Sequence, residues 1–264
     1  MYLYPKYFIA PLAKKYKFRR FCEVGASEGT TTKKLLRLPF ETYTVVDPCF
    51  DRDLIGEFSN DPRVDVRKSL SLEALPHLEH EYDGILLDGD HNWYTVIEEL
   101  RAIRDHGLLR PGGYIFLHDV DWPYGRRDMY YVPDTVPAEA RQPLSMKGIV
   151  RGQSPLAEQG GFNSNYYNAE HEGGPRNGVL TGVEDFMAEN PGKYRFCRTR
   201  WNFGLGILQR KSSGPTEALA FLWLRLQVLF FDLCVARFQM WRDEFSAWRH
   251  RSPEPAPAGV KTQK

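Results

Sequence analysis

Over the first 210 of its 264 residues, the chain alternates short apolar, β-rich runs with stretches of helical spacing. The runs predict strands near residues 21–24, 42–47, 64–68, 84–87 and 114–118, with helices over 30–38, 52–59, 72–78 and 94–106. In the last helix Val96, Ile97, Leu100 and Ile103 make one apolar stripe, with Glu98, Glu99, Arg101 and Arg104 expected on the opposite face. Such alternation is what a mostly parallel sheet covered on both faces requires, so the predicted class is α/β and Rossmann-like. A helix over 182–189 then leads to two more strands, 194–197 and 203–208, joined by a short turn.

Two regions break the alternation. Residues 121–178 are rich in Gly, Pro, Asn and Tyr without a sustained period, and read as a long functional loop or lid. Beyond Gly214 and Pro215 a long helical run is expected over 215–249, in which Arg225, Asp232, Gln239 and Ser246 recur every seventh position while most other positions up to Met240 are apolar. A helix apolar over so much of its circumference has to be covered. Its own domain, a second copy, a partner protein or a bilayer surface would each do so. Arg225, Asp232 and Arg237 inside the run argue against crossing a membrane. The expected organisation is a lead-in at 1–17, a main domain at 18–210, the association helix, and a disordered Pro-, Ala- and Lys-rich tail at 250–264.

Composition narrows the partners. Thirty-five Lys and Arg stand against 34 Asp and Glu, so no global field attracts nucleic acid. Four cysteines without a Cys-x-x-Cys pair fit a reducing compartment, and Pro5, Pro11 and four lysines interrupt what would be the apolar core of an export signal. A cytoplasmic protein is expected, with contact at the inner face of the membrane left open to the carboxyl-terminal helix.

The most informative stretch runs from Phe21 to Thr30 and on to Asp47: strand, glycine turn, helix, strand, carboxylate. Gly25 and Gly29 remove side chains where backbone must turn and approach a ligand, and Asp47 at the next strand end is placed to accept from ribose hydroxyls. Farther on, Leu87-Asp88-Gly89-Asp90-His91 and the run Leu109-Arg110-Pro111-Gly112-Gly113 through His118-Asp119 each bring a strand to an acidic end. Together these segments resemble the class I S-adenosylmethionine-dependent methyltransferases, with Glu-x-Gly-x-x-x-Gly, a ribose-binding acid and a Leu-x-Pro-Gly-Gly turn in that order. The Leu-Asp-Gly-Asp-His block resembles the branch of the macrolide-sugar O-methyltransferases and cephalosporin-hydroxylase-like proteins.

The resemblance implies a seven-stranded sheet with a closing antiparallel hairpin and S-adenosylmethionine as cofactor. Donor contacts are expected from Glu23, Gly25, Ala26, Ser27, Gly29, Asp47, Ser69 and Asp88, with Glu23 alternatively orienting the glycine loop through its amides. It places Asp88 on a metal-ligand position, His91 on the general-base position, and His118-Asp119 where that branch has two adjacent acids. His118 is a departure, since imidazole suits transition metals better than magnesium. Three readings stay open: Mg²⁺ on Asp88 and Asp119, another divalent metal that also uses His118, or no metal and a His91 or His118 base acting alone. For the acceptor, Tyr130, Tyr166, Asn168, His171 and Arg176 in the lid combine flat rings with hydrogen-bonding groups, which suits a sugar, a polysaccharide or a glycosylated natural product. The expected activity is O-methylation of such a hydroxyl. A metal-dependent hydroxylase on the same scaffold, or a non-catalytic subunit of a glycan-synthesis complex that recruits a glycosyltransferase through the carboxyl-terminal helix, are the alternatives.

Overall fold

The structure is a computed structural model that describes residues 3–50, 52–235 and 238. Seven strands form one sheet in the order β3-β2-β1-β4-β5-β10-β9: β1 (Arg20–Val24), β2 (Thr42–Val46), β3 (Val64–Arg67), β4 (Tyr82–Leu87), β5 (Leu109–His118), β9 (Tyr194–Thr199) and β10 (Leu205–Arg210). The first five pair in parallel, and β10 runs antiparallel to both its neighbours. This is the Rossmann-like sheet with a closing hairpin that the pattern and the resemblance imply.

Central strands are apolar on both faces because both faces are covered. All six residues of β4 are buried. One face buries Phe21, Tyr43, Val45, Phe116 and Ile207; the other buries Cys22, Val24, Ile85, Leu87, Ile115 and Leu117 beneath α5 (Trp93–Asp105) and α6 (Val179–Glu189). Asn92 caps α5 by accepting from the Thr95 amide at 2.8 Å. Glu99 departs from the expected polar face of α5. It is buried, on the side packed toward α4 (Ser71–Ala74), and burial pushes its pKa up to about 8.

The lead-in is not a loose segment. A π-helical stretch, Pro5–Ile9, continues into α1 (Ala10–Lys15), and Tyr4, Phe8, Ile9 and Leu12 join the core cluster of the first face. The region read as a long functional loop or lid contains strands: β6 (Met129–Tyr130), β7 (Leu144–Ser145) and β8 (Tyr167–Ala169) form a second, three-stranded antiparallel sheet in the order β6-β8-β7. Strands of two or three residues are too short to leave a period in sequence. A buried carboxylate anchors this lid: Asp128 Oδ1 accepts from the amides of Trp93 (2.7 Å) and Gly178 (2.6 Å), and its Oδ2 accepts from the Tyr130 hydroxyl at 2.7 Å. The lid is thereby fastened to the starts of α5 and α6.

The carboxyl-terminal helix α7 (Pro215–Phe230) continues into a π-helical turn, Phe231–Val235. Phe221, Leu224, Val228 and Phe231 seat it on its own domain. The rest of the expected helix and the 250–264 tail lie outside the described residues. Among the described residues no helix is long and apolar enough to cross a membrane.

Candidate functional site

Strands β1, β4 and β5 end side by side, and the residues that follow them meet. Gly25 has φ +81°, and a Cβ there would lie 2.3 Å from the carbonyl oxygen of Asp88. Only glycine lets the first turn pack on the end of β4. Asp119, after β5, also sits in the left-handed region at φ 60°, a conformation costly for a side-chain-bearing residue.

Two adjoining cavities open at this edge. The larger, about 430 Å³, is walled by the 25–28 turn, Thr30, Thr31, Asp88, His91, His118 and Asp119, with aromatic residues from the lid and Phe203 opposite. The smaller, about 320 Å³, runs along Val24, Val46, Asp47, Leu70, Ser71 and Gly89. Gly25, Ser27, Asp88, Tyr131 and Tyr166 belong to both walls. A ligand filling one cavity therefore reaches the other across a glycine turn and a single carboxylate.

The acids and histidines of the larger cavity form a cluster. His118 Nδ1 lies 3.0 Å from Asp88 Oδ1 and 2.8 Å from Asp119 Oδ2. Burial alone would lower the His118 pKa, but the two carboxylates outweigh it and hold it up at about 9. For Asp119, burial pulls the pKa upward and is outweighed by His118 and His91, which keep it below the ordinary carboxylate value. His91 Nδ1 lies 3.3 Å from Asp119 Oδ2, its ring stacks on Tyr124 at 5.7 Å and 3°, and its Nε2 faces the Tyr131 hydroxyl at 3.4 Å. With its Nδ1 proton directed to Asp119, His91 turns its Nε2 lone pair toward the Tyr131 hydroxyl on the cavity wall. His118, held between two acids, is the poorer base.

Among the described residues, one ligand atom each from Asp88, His118 and Asp119 lie within 4.8 Å of one another, a spacing suited to a metal ion. One imidazole and two carboxylates, partly buried, fit a divalent cation of borderline hardness such as Mn²⁺ as well as they fit Mg²⁺.

The predicted donor residues divide. Gly25, Ala26, Ser27, Asp47 and Asp88 line the cavities, while Glu23, Gly29 and Ser69 do not. Asp47 performs the task considered for Glu23: its Oδ2 accepts from the amides of Ala26 (2.9 Å) and Ser27 (2.8 Å), and its Oδ1 from Cys49 (2.7 Å). Glu23 is fully buried behind the turn, where Oε2 accepts from Thr32 and Tyr43. Gly29 (φ +71°) starts α2 (Thr30–Leu35) and packs against Phe58. Ser69 bonds Glu73 at 2.9 Å, next to the cavity-lining Leu70.

Of the acceptor residues, Tyr166 is on both walls. The other four do not line the two cavities. Tyr130 and Asn168 are buried inside the lid, Tyr130 on Asp128 and Asn168 donating to the carbonyls of Lys147 and Asn163. His171 is exposed, and Arg176 lies over the Trp93 ring at 5.3 Å; neither lines the two cavities. The walls instead use Tyr124, Met129, Tyr131, Phe162, Asn163 and Phe203. Tyr131 and Asn163 share the Tyr- and Asn-rich composition that marked the lid. Tyr124 and Phe203 carry no local signal, because long-range packing alone brings them to His91 and His118.

Residues 22–120 match the family model described as a methyltransferase domain. That segment is similar to a methyltransferase domain. No curated protein matches it. Solved structures similar to this chain include an SAH-bound methyltransferase from Podospora anserina (14% identity, TM-score 0.49, covering 78% of this chain and 77% of that one). Others are an O-methyltransferase from Bacillus cereus in complex with SAH (16%, 0.47, 77% and 79%) and TomG of Streptomyces achromogenes, involved in tomaymycin synthesis, in complex with SAM (15%, 0.46, 78% and 79%). At these levels the likenesses do not extend to activity or ligand. The matched segment begins in β1 and ends just after Asp119, so it spans the glycine turn and the whole Asp88–His118–Asp119 cluster but not the lid.

Proposed function

We propose that this protein transfers the methyl group of S-adenosylmethionine to a hydroxyl of a sugar unit, in a polysaccharide or a glycosylated natural product. The observation that carries the reading is the pair of cavities meeting at Gly25, Ser27 and Asp88, with Asp47 on one side and His91 on the other. The nucleoside of the donor belongs in the smaller cavity, between the apolar edges of Val46 and Leu70. Asp47 Oδ1 accepts a single amide hydrogen bond and keeps capacity for one ribose hydroxyl. The sulfonium then points past Gly25 into the larger cavity.

There the acceptor oxygen attacks the methyl carbon in line with the departing sulfur: an O–C bond forms, a C–S bond breaks, and a neutral thioether leaves. A sugar hydroxyl is too weak a nucleophile without losing its proton. His91 Nε2 takes that proton, and Asp119 stabilises the imidazolium that results. Asp88, Asp119 and His118 would hold a divalent cation, which supplies Lewis-acid polarisation of the hydroxyl. Tyr131, Tyr166 and Asn163 line the cavity with the flat faces and hydrogen-bonding groups that a sugar ring uses. An iron-dependent hydroxylase is disfavoured by the donor set itself, since one imidazole with two carboxylates inverts the two-histidine, one-carboxylate arrangement of such sites.

Calorimetry and labelled-methyl transfer test the reading together. S-adenosylmethionine should bind where NAD does not, and the label should pass to a hydroxylated glycan acceptor in a reaction that chelation slows and Mg²⁺ or Mn²⁺ restores. Binding of NAD in preference to the sulfonium would remove the donor assignment. Donor binding without transfer to any sugar-bearing acceptor would leave the non-catalytic subunit as the better account.

A further inference from the structure

The two faces of α7 are both apolar. Phe221, Leu224, Val228 and Phe231 fill the core, while on the opposite side Leu219, Leu222, Leu226, Leu229 and Leu233 are each at least half exposed, with Trp223 (59%) and Phe230 (64%) beside them. None of the described residues covers that second face. An exposed strip of this size on a folded chain marks an interaction surface.

The spacing identifies what covers it. Within α7, Leu219, Leu222, Leu226 and Leu229 follow one another at intervals of three, four and three residues, close to the 3.5-residue mean repeat that keeps a seam straight along a partner helix, and Leu233 extends the exposed face into the π-helical turn. Such a seam is complementary to itself. Seven large apolar side chains at this exposure offer on the order of 800 Å², one side of a standard stable interface. A membrane surface is the poorer occupant, because an interfacial helix needs a cationic polar face. Between Pro215 and Val235 the charged residues are Glu217, Asp232 and Arg225, two acids against one base.

We propose that α7 and the π-helical turn after it pair with the same segment of a second copy of this chain through Leu219, Leu222, Leu226, Leu229 and Leu233, so that the working form is a homodimer. No seam residue lines the two cavities of the active site, and the proposal stands apart from the choice of substrate.

Sedimentation of the full chain over a wide concentration range should give twice the 30.6 kDa chain mass. The double variant Leu222→Arg/Leu229→Arg should sediment at the chain mass, with unchanged circular dichroism and unchanged S-adenosylmethionine binding. Should that variant misfold, Leu226→Asn alone should weaken the dimer at least about tenfold. A wild type that is monomeric throughout, a dimer that survives both variants, or a monomer that floats with phosphatidylcholine and phosphatidylglycerol vesicles would each overturn the proposal.

Discussion

The donor side and the acceptor side of this site are built in opposite ways. On the donor side the Gly25 turn and Asp47 lie within about one βαβ unit, and two hydrogen bonds that Asp47 accepts from the Ala26 and Ser27 amides fix the loop to the next strand. On the acceptor side His91 is held by residues far from it in sequence: Asp119 after β5, Tyr124 at the start of the lid, and Tyr131 beyond β6. The first is a local device that a sheet edge supplies wherever a glycine turn precedes an acid. The second exists only when the lid has folded onto α5 through Asp128. Binding of the donor should therefore tolerate damage to the acceptor side, and transfer at saturating donor should tolerate damage to the donor side better than it tolerates loss of His91.

The sharpest way to break that comparison is His91→Ala. It should lower kcat by roughly 10²–10⁴, the range for loss of a general base, while the dissociation constant for S-adenosylmethionine stays within about threefold of wild type. Single-turnover transfer with donor binding measured by calorimetry reads both. If donor affinity falls in step with kcat, the two sides are not separable and the cavities act as one pocket.

Asp47→Ala should do the reverse with a smaller effect. It frees the Ala26 and Ser27 amides and removes the ribose acceptor, so donor affinity should fall about 10- to 100-fold, corresponding to roughly 1–3 kcal/mol for hydrogen bonds to a charged group. Single-turnover transfer at saturating donor should change far less than in His91→Ala. A variant that binds the donor as tightly as wild type would mean that Asp47 is only a loop tether.

The same contrast explains what was legible in the sequence. Gly25, Asp47, Asp88, His91, His118 and Asp119 could be read from the chain because each lies at or shortly after the end of an apolar strand, and strand ends converge in any sheet of this kind. The internal structure of the 121–178 segment could not be read. Its strands are two or three residues long, and its anchor, Asp128, gives no hint in sequence that amides 35 and 50 positions away will donate to it. Composition correctly marked Tyr131, Asn163 and Tyr166 as belonging to a polar, aromatic segment. It could not tell which tyrosines turn toward the cavity and which, like Tyr130, are used to hold the lid together. Glu99 failed differently: helical periodicity put it on the outer face, and the covering α4 segment, invisible to a single-helix pattern, buries it.

Glu23 tests whether the donor side is scaffold as well as binding surface. Burial, the largest influence, raises its carboxyl to about 7, against the lowering effect of the bonds from Tyr43 and Thr32; its second oxygen, Oε1, has no partner. A carboxyl raised on folding holds its proton better in the native state. Its contribution to stability is then complete below the unfolded value near 4.5 and lost as pH rises through about 7. Wild type should accordingly lose on the order of 1–3 kcal/mol of unfolding free energy between those limits from this group alone. Glu23→Gln should flatten that slope and raise the relative stability at pH 8, with denaturant midpoints as the measure. Because Glu23 faces Thr32 and Tyr43 and not the cavity, the variant should bind S-adenosylmethionine like wild type. A loss of donor affinity with an unchanged stability profile would move Glu23 from the scaffold back to the binding surface, and the local device would then extend one residue pair deeper into β1 than the geometry places it.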